Sequence, residues 1–178
     1  LNTQIKAHHY ALTPLAKTFV YPMGFFSTRI QDIKQLQTQA LIALPNDPSN
    51  EGRSLLLLQQ AGLITLKSSA GLLATTSDII SNPKQLRFKL IPAAQCPRAL
   101  PDVDMAALTN DFVAPAGLTL TQAIIKENED APYANVIAIQ TKNKDNPALQ
   151  DLVSVMHSAA VVKKTQSIYP DGGAISAW

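Results

Sequence analysis

The sequence predicts an α/β fold built on mainly parallel strands. Short, mostly uncharged apolar runs of strand length alternate with segments of helical periodicity along the 178 residues, which is the pattern of strands covered on both faces. Most prolines fall between these elements, where a missing N–H group has little effect on hydrogen bonding. The chain is 46% hydrophobic, so it can bury a substantial core as one large domain or as two small lobes.

The strand predictions rest on aliphatic or β-branched runs, several of which end at a proline. In chain order the predicted strands cover residues 18–21, 40–44, 87–91, 103–108 and 136–139. The predicted helices cover residues 33–37, 49–61, 75–81, 121–126 and 147–167. The helix 49–61 has the clearest ends, because Pro48 suits a first helical position and Gly62 lies where a C-terminal cap falls.

The joints at Pro22 and Pro132 flank a central block that has the pattern of a complete small α/β unit. The sequence therefore predicts two lobes joined by two chain crossings. The first lobe comprises residues 1–28 and 133–178, and the second comprises residues 29–132. Because the chain opens with what resembles the later part of an element, we expect an amino-terminal truncation that leaves the first lobe incomplete.

The charge pattern argues against binding to nucleic acid. Fifteen Lys and Arg residues against thirteen Asp and Glu residues give a formal net charge of +2, and the charges are scattered. The densest basic cluster, Lys163-Lys164, is predicted to lie on a solvated helix face rather than in a basic stripe. The longest aliphatic run, Leu55 to Leu58, is far shorter than the roughly 18 apolar residues that a membrane-spanning helix requires.

Sequence motifs for catalysis and metal binding are also missing. The sequence has no Gly-x-Ser-x-Gly elbow, glycine-rich phosphate loop, dinucleotide fingerprint or His-Glu-x-x-His pair. His8 and His9 are adjacent and would point to different faces, so we expect no metal and no cofactor. Cys96 has no identifiable base and is predicted to be a buried, inert thiol. The acids of the loops are interpreted as solvated surface: Asp102, Asp104, Glu127, Glu129 and Asp130.

Arg53 is the residue that points most clearly to a function. It lies just after a predicted buried strand, near the start of a helix that Asp47 or Ser49 can cap. Helix N-termini attract anions, so an arginine there opposes the dipole preference, and a fixed guanidinium could hold a carboxylate jointly with the helix terminus. The alternative is that Arg53 extends into solvent or pairs with Glu51 or Asp47.

Two asparagines lie at the ends of predicted strands. Asn110 follows strand 103–108, and Asn135 precedes strand 136–139. An asparagine amide offers donors and an acceptor, which suits the carboxylate and ammonium groups of a zwitterion. The competing interpretation, that each asparagine caps a turn, is the more usual role of loop asparagines, and sequence alone favours it.

Several blocks of the sequence, in the same order, resemble the methionine-binding lipoproteins of bacterial ABC importers. They are residues 18–24 (TFVYPMG), 45–59 (PNDPSNEGRSLLLLQ), 61–64 (AGLI), 82–84 (NPK), 93–98 (AAQCPR), 102–104 (DVD), 116–118 (AGL), 132–135 (PYAN) and 177–178 (AW). Together they extend over essentially the whole chain. Ser54 and Cys96 depart from the family, which more often has alanine and leucine at these positions.

The resemblance implies a type 2 periplasmic-binding-protein fold, in which two α/β lobes close over an amino acid without making or breaking a bond. It implies that Arg53 binds the ligand carboxylate and that Asn110 and Asn135 hold the amino-acid head group. Tyr21 is a weaker candidate for the pocket wall, with a core aromatic near the hinge as its alternative role.

The resemblance also implies an ABC permease as partner and a lipid anchor, absent from this chain, that attaches the full-length protein on the periplasmic or cell-surface side. We expect the truncated form to bind methionine weakly or to complete its sheet by self-association. Alternatives are another amino acid or a methionine-containing dipeptide as cargo, an α/β enzyme that uses scattered carboxylates or Cys96, and a ligand-sensing regulatory domain.

Overall fold

The computed structural model describes residues 1, 5, 8–128 and 132–178, which divide into two compact units. The larger unit spans Pro22–Asp130, and the smaller unit combines Leu1–Tyr21 with Ala131–Trp178. The boundary predicted at residue 28 differs from this division. The reason is that residues 24–26 form a strand within the sheet of the larger unit.

Strands and helices are numbered in chain order. The strands are β1 (Leu12–Lys17), β2 (Phe19–Val20), β3 (Gly24–Phe26), β4 (Leu41–Pro45), β5 (Thr65–Leu66), β6 (Ile79–Ser81), β7 (Arg87–Ile91), β8 (Met105–Leu108), β9 (Ile125–Lys126), β10 (Val136–Gln140) and β11 (Ile175–Ser176). The α-helices are α1 (Pro48–Gln60), α2 (Cys96–Ala99), α3 (Asn110–Val113), α4 (Ala148–Met156) and α5 (Ala159–Ile168). Short 3₁₀ helices lie at Ile33–Gln35, Gly71–Leu73, Thr76–Asp78, Ala93–Gln95, Ala114–Ala116, Leu120–Gln122 and Thr141–Asn143.

The larger unit is organised around a five-stranded mixed sheet with the order β7-β4-β8-β3-β9. Strand β4 is parallel to β7 and β8, whereas β3 is antiparallel to both β8 and β9. The α/β class is confirmed, but the expectation of mainly parallel strands holds for only one side of the sheet. Strands β3 and β9 are three and two residues long, too short for a strand pattern to show in the sequence.

Apolar side chains cover both faces of this sheet. Because successive residues of a strand point to opposite faces, Phe25 joins one hydrophobic cluster and Phe26 joins the other. In β4, Ile42 and Leu44 lie in the first cluster with leucines of α1, and Ala43 lies in the second. All five side chains are at most 2% exposed. Burial on both faces accounts for the continuous apolar runs of the sequence.

Helix α1 follows β4 and has the ends that the sequence predicts. Asp47 is its N-cap, and the carboxylate accepts a hydrogen bond from the backbone N–H three residues later at 3.0 Å. Pro48 is the first helical residue. Gly62 follows the helix with a φ of +73°, a conformation that favours glycine. Gly52 permits a close approach, since a Cβ atom there would lie 2.4 Å from the carbonyl oxygen of Leu72.

Three of the predicted helices are wrong in type or extent. Residues 75–81 form a single 3₁₀ turn followed by β6, and residues 121–126 contain the end of another turn followed by β9. A capping box headed by Thr75 or Thr119 begins each turn. The β-branched isoleucines that follow each turn favour an extended chain. Residues 33–37 likewise contain only a 3₁₀ turn.

The predicted helix 147–167 is divided into α4 and α5. Ser158 begins the second helix, because its hydroxyl accepts a hydrogen bond from the Val161 backbone N–H at 3.4 Å. His157 ends the first helix, and its ring stacks on that of Trp178 with the centroids 4.2 Å apart. The Ser158 cap therefore divides the predicted helix 147–167 into two helices, and the apolar periodicity of the segment does not indicate this division.

The smaller unit contains two separate antiparallel pairs, β1 with β10 and β2 with β11. Phe19 and Val20 are buried, and the Phe19 ring meets Trp178 edge-on with the centroids 5.1 Å apart. Neither α4 nor α5 has a buried residue. Large apolar side chains are exposed at Tyr10, Leu152, Val155 and Ile168. The described part of this unit therefore leaves much apolar surface in contact with solvent.

Candidate functional site

Polar residues that follow strands of the five-stranded sheet lie at one edge of that sheet. Strands β4 and β8 are parallel, and β9 runs in the same direction as β8 because β3 is antiparallel to both. Their carboxyl ends therefore meet at one edge, together with the amino end of β3. Gly24 is accordingly paired with Leu108 on one side and with Lys126 on the other. Ligands of open α/β sheets bind at the carboxyl ends of strands.

Arg53 and Glu127 form a buried ion pair at this edge. Arg53 lies in the second turn of α1, and Glu127 directly follows β9. The Arg53 Nε donates to Glu127 Oε1 at 2.6 Å, and the Arg53 Nη2 donates to Glu127 Oε2. The Met23 backbone N–H donates to the same Oε2 at 2.8 Å. The two side chains are only 9% and 6% exposed, so fork geometry and burial together fix the guanidinium.

Glu127 corrects two of the sequence-based expectations. It is buried rather than solvated, and it is a partner of Arg53, whereas the alternative to ligand binding named Glu51 or Asp47 as that partner. Asp47 caps α1, and the Glu51 carboxylate accepts the backbone N–H of Thr76, the first residue of the 3₁₀ turn Thr76–Asp78, at 3.1 Å. Because residues 121–126 are predicted to be helical, the sequence does not indicate that Glu127 follows a strand of the sheet. The signal present there is a pair of isoleucines just ahead of the acid, which favours a strand ending at it.

Asn110 is the second predicted binding residue at this edge. It follows β8, begins α3 and is 5% exposed. The N-cap of α3 is Thr109, so Asn110 is not the cap of the helix that it begins. Its backbone continues from a central strand of the sheet, and a polar group on such a rigid element keeps its orientation. The structure thus places Arg53 and Asn110 at the same sheet edge, as their positions in the sequence imply.

Asn135 and Tyr21 both lie in the smaller unit. The Asn135 backbone N–H donates to the Phe19 carbonyl oxygen at 3.0 Å, and its own carbonyl oxygen accepts the Thr18 N–H at 2.7 Å. Asn135 is exposed. The Tyr21 ring meets those of Phe19 and Tyr169 with the centroids 6.4 and 5.7 Å apart. Phe19 is thus a common neighbour of the two residues, whose roles in binding stay predictions.

Cys96 is a buried thiol, as the sequence predicts. Its side chain is fully enclosed by the second hydrophobic cluster. Burial, with a smaller contribution from the Asp47 carboxylate, raises the pKa of the Cys96 thiol to about 11. The thiol is therefore protonated near neutral pH, and a protonated thiol is a poor nucleophile.

The remaining polar groups have structural roles where they are described. The Asp104 carboxylate accepts the Leu41 backbone N–H at 2.7 Å, which fixes the start of β4. Lys163 and Lys164 are exposed on α5, as predicted. Glu129 and Asp130 lie outside the described residues. Over residues 1, 5, 8–128 and 132–178, no three His, Cys, Asp or Glu side chains group as metal ligands, and no helix has the length and apolar character to cross a bilayer.

The whole chain, residues 1–178, matches the family described as NlpA lipoprotein. Among its curated relatives, the D-methionine-binding lipoprotein MetQ of Salmonella typhimurium is 39% identical over 181 residues. That match covers 100% of this chain and 66% of the relative. The chain therefore spans just under two thirds of the length of that relative.

Two solved structures are similar to this chain in fold. An ABC transporter periplasmic substrate-binding protein from Coxiella burnetii is 46% identical, with a TM-score of 0.92 and coverage of 99% of this chain and 74% of that chain. A nutrient-binding protein from Burkholderia cenocepacia bound to methionine is 38% identical, with a TM-score of 0.93 and coverage of 99% and 75%. These matches confirm the predicted periplasmic-binding-protein fold, and the family resemblance is confirmed as well. The chain belongs to the NlpA lipoprotein family.

Proposed function

We propose that this protein is the substrate-binding component of an ABC importer and that it binds methionine by closure of two lobes. The observation that carries the proposal is the buried Arg53 guanidinium at the sheet edge that also holds Asn110. The names of the relatives support the cargo, since one is a D-methionine-binding lipoprotein and another was solved with methionine bound.

In this proposal Arg53 binds the carboxylate that all amino acids share. A guanidinium carries five N–H donors, and Glu127 accepts from two of its nitrogen atoms. Asn110 and Asn135 hold the head group of the ligand, because their amides offer both donors and an acceptor. Tyr21 contributes to the wall of the pocket. The ligand favours the closed state through contacts that form only when the lobes close.

The partner in this proposal is a membrane permease that receives methionine, and no bond is made or broken, so the protein is not an enzyme. The full-length protein is held by a lipid anchor on the periplasmic or cell-surface side. Support comes from the lipoprotein names of the relatives and from the periplasmic ABC-transporter description of the Coxiella protein.

Thermal unfolding of the full-length protein with a panel of ligands tests the proposed cargo. We expect L- or D-methionine to stabilise the protein by about 2.7 kcal/mol at a hundredfold excess over its dissociation constant. Leucine is the matched control, since it has the same head group and a similar size without the thioether. Greater stabilisation by glycyl-methionine would favour a dipeptide cargo, and no stabilisation by any methionine derivative would contradict the proposal.

We also infer that the 178-residue chain by itself self-associates through the smaller unit. Tyr10, Leu152, Val155 and Ile168 are between 44% and 64% exposed. The β1–β10 sheet has two strands within the described residues, and the outer edges of such a sheet offer backbone groups for pairing with a second copy.

Light scattering coupled to size-exclusion chromatography tests this association. We expect an average mass above that of the monomer that rises with protein concentration, and we expect Val155→Lys to lower it by placing a charge in the contact. Leu72→Lys is the control, because Leu72 is 50% exposed but lies in the larger unit. A monomeric mass at all concentrations would refute the association.

A further inference from the structure

The charge of the Arg53–Glu127 pair has a consequence for which ligands the site accepts. The guanidinium and the carboxylate are both buried, and together they carry no net charge. The other buried carboxylate among the described residues is Glu51, which lies on α1 two residues before Arg53 and accepts the Thr76 backbone N–H at 3.1 Å. The buried Arg53–Glu127 pair therefore adds no net charge to this edge before a ligand arrives.

We infer that Glu127 is a positioning and specificity-determining residue that makes the site select zwitterions over simple carboxylates. This inference rests on the proposed function and assigns part of its selectivity to one residue. Glu127 neutralises Arg53 in advance, so a ligand that brings only a carboxylate leaves an uncompensated negative charge in a buried site. A zwitterion brings its own ammonium group and adds no net charge.

The energetic reason is the cost of an unpaired buried charge. Transfer of an ionised carboxylate out of water is strongly unfavourable unless a counter-charge accompanies it. A lone arginine would supply that counter-charge and would accept any carboxylate of suitable shape. An arginine already paired with glutamate supplies hydrogen-bond donors and orientation, but no net charge. The missing positive charge must then come from the ligand.

The geometry of Glu127 supports this positioning role. Its two carboxylate oxygens receive Nε and Nη2 of Arg53, which fixes the plane and rotation of the guanidinium. The backbone N–H of Met23, the residue before β3, donates to Glu127 Oε2 at 2.8 Å. Glu127 itself directly follows β9. Two strands of the sheet therefore hold the acid that holds the arginine.

The test compares methionine with 4-(methylthio)butanoate, which keeps the side chain and the carboxylate but lacks the amino group. Dissociation constants are measured by calorimetry for the full-length wild-type protein and for Glu127→Gln. We expect the wild type to bind methionine more tightly than 4-(methylthio)butanoate. In Glu127→Gln, the ratio of the dissociation constant for 4-(methylthio)butanoate to that for methionine should fall by at least about tenfold, which corresponds to about 1.4 kcal/mol. If Glu127 has only a structural role, Glu127→Gln should weaken the binding of both ligands by the same factor and leave this ratio unchanged.

Glu51→Gln is the matched control. Glu51 is also a buried glutamate of the same unit, at 7% exposure, and its carboxylate accepts a backbone N–H rather than pairing with Arg53. We expect this variant to keep most of the wild-type ratio. Glu127→Asp keeps the negative charge on a shorter side chain, so it should lower the affinity for both ligands while preserving the ratio of their dissociation constants. This variant tests the inference even if Glu127→Gln does not fold.

The inference is overturned if the ratio of the two dissociation constants is the same in the wild type and in folded Glu127→Gln. It is also overturned if Glu127→Asp, which keeps the charge, lowers this ratio by about tenfold as well. Failure of the proposed function gives a different result. In that case the wild type itself binds neither methionine nor its deaminated analogue.

Discussion

Replacement of Arg53 by alanine is expected to lower the free energy of unfolding by about 3–5 kcal/mol. The variant leaves the Glu127 carboxylate buried without its partner, and the Met23 N–H alone cannot compensate a full charge. Urea denaturation followed by circular dichroism measures the change. A loss below about 1 kcal/mol would contradict a buried, energetically coupled pair.

The double variant Arg53→Met/Glu127→Leu is the control for this prediction. It removes both charges and replaces them with apolar side chains of similar length. Because replacing a whole buried ion pair by hydrophobic residues is often neutral or stabilising, we expect the double variant to regain most of the stability lost in Arg53→Ala. If the double variant is less stable than Arg53→Ala, the ion pair contributes more to the free energy of unfolding than apolar side chains of similar length can replace.

Phe25→Ala is expected to destabilise the larger unit by about 3–5 kcal/mol. Phe25 is fully buried in the first hydrophobic cluster and lies in β3, where it pairs with Ala107 of β8 and Ile125 of β9. Removal of the ring leaves a cavity between the sheet and α1 that close packing cannot fill. Urea denaturation measures the loss, and hydrogen exchange should be faster in β8 and β9.

The matched control is Phe112→Ala, in the same unit. Phe112 lies in the short helix α3 and is only partly buried, so its truncation should cost clearly less than that of Phe25. The pair of variants also tests the boundary between the units. Equal effects, or faster exchange confined to the smaller unit after Phe25→Ala, would show that β3 does not belong to the central sheet.

The sequence predicts the parts of the fold that local physics determines. Asp47, Pro48 and Gly62 mark the ends of α1 because capping and backbone conformation depend on neighbouring residues. The runs that became β4 and β8 are recognisable because both of their faces are buried. The position of Arg53 near the start of a helix after a buried strand is readable for the same reason.

The remaining parts depend on contacts between residues that are distant in the sequence. Glu127 lies 74 residues after Arg53, and only the antiparallel pairing of β3 with β8 and β9 brings their elements to one edge. Two-residue strands such as β9 have too few side chains to show a period, and pairing rather than propensity makes them strands. The sequence therefore predicts where Arg53 lies, but not that Glu127 is its partner.

We propose that Arg53 binds the carboxylate of methionine at the edge of the five-stranded sheet. Calorimetric titration of methionine into the full-length wild-type protein and into Arg53→Met/Glu127→Leu, at a temperature where both are folded, tests it most directly. We expect the double variant to bind at least about 30-fold more weakly, since loss of a buried charge-assisted contact costs about 2 kcal/mol or more. Equal dissociation constants for the two proteins would contradict the claim.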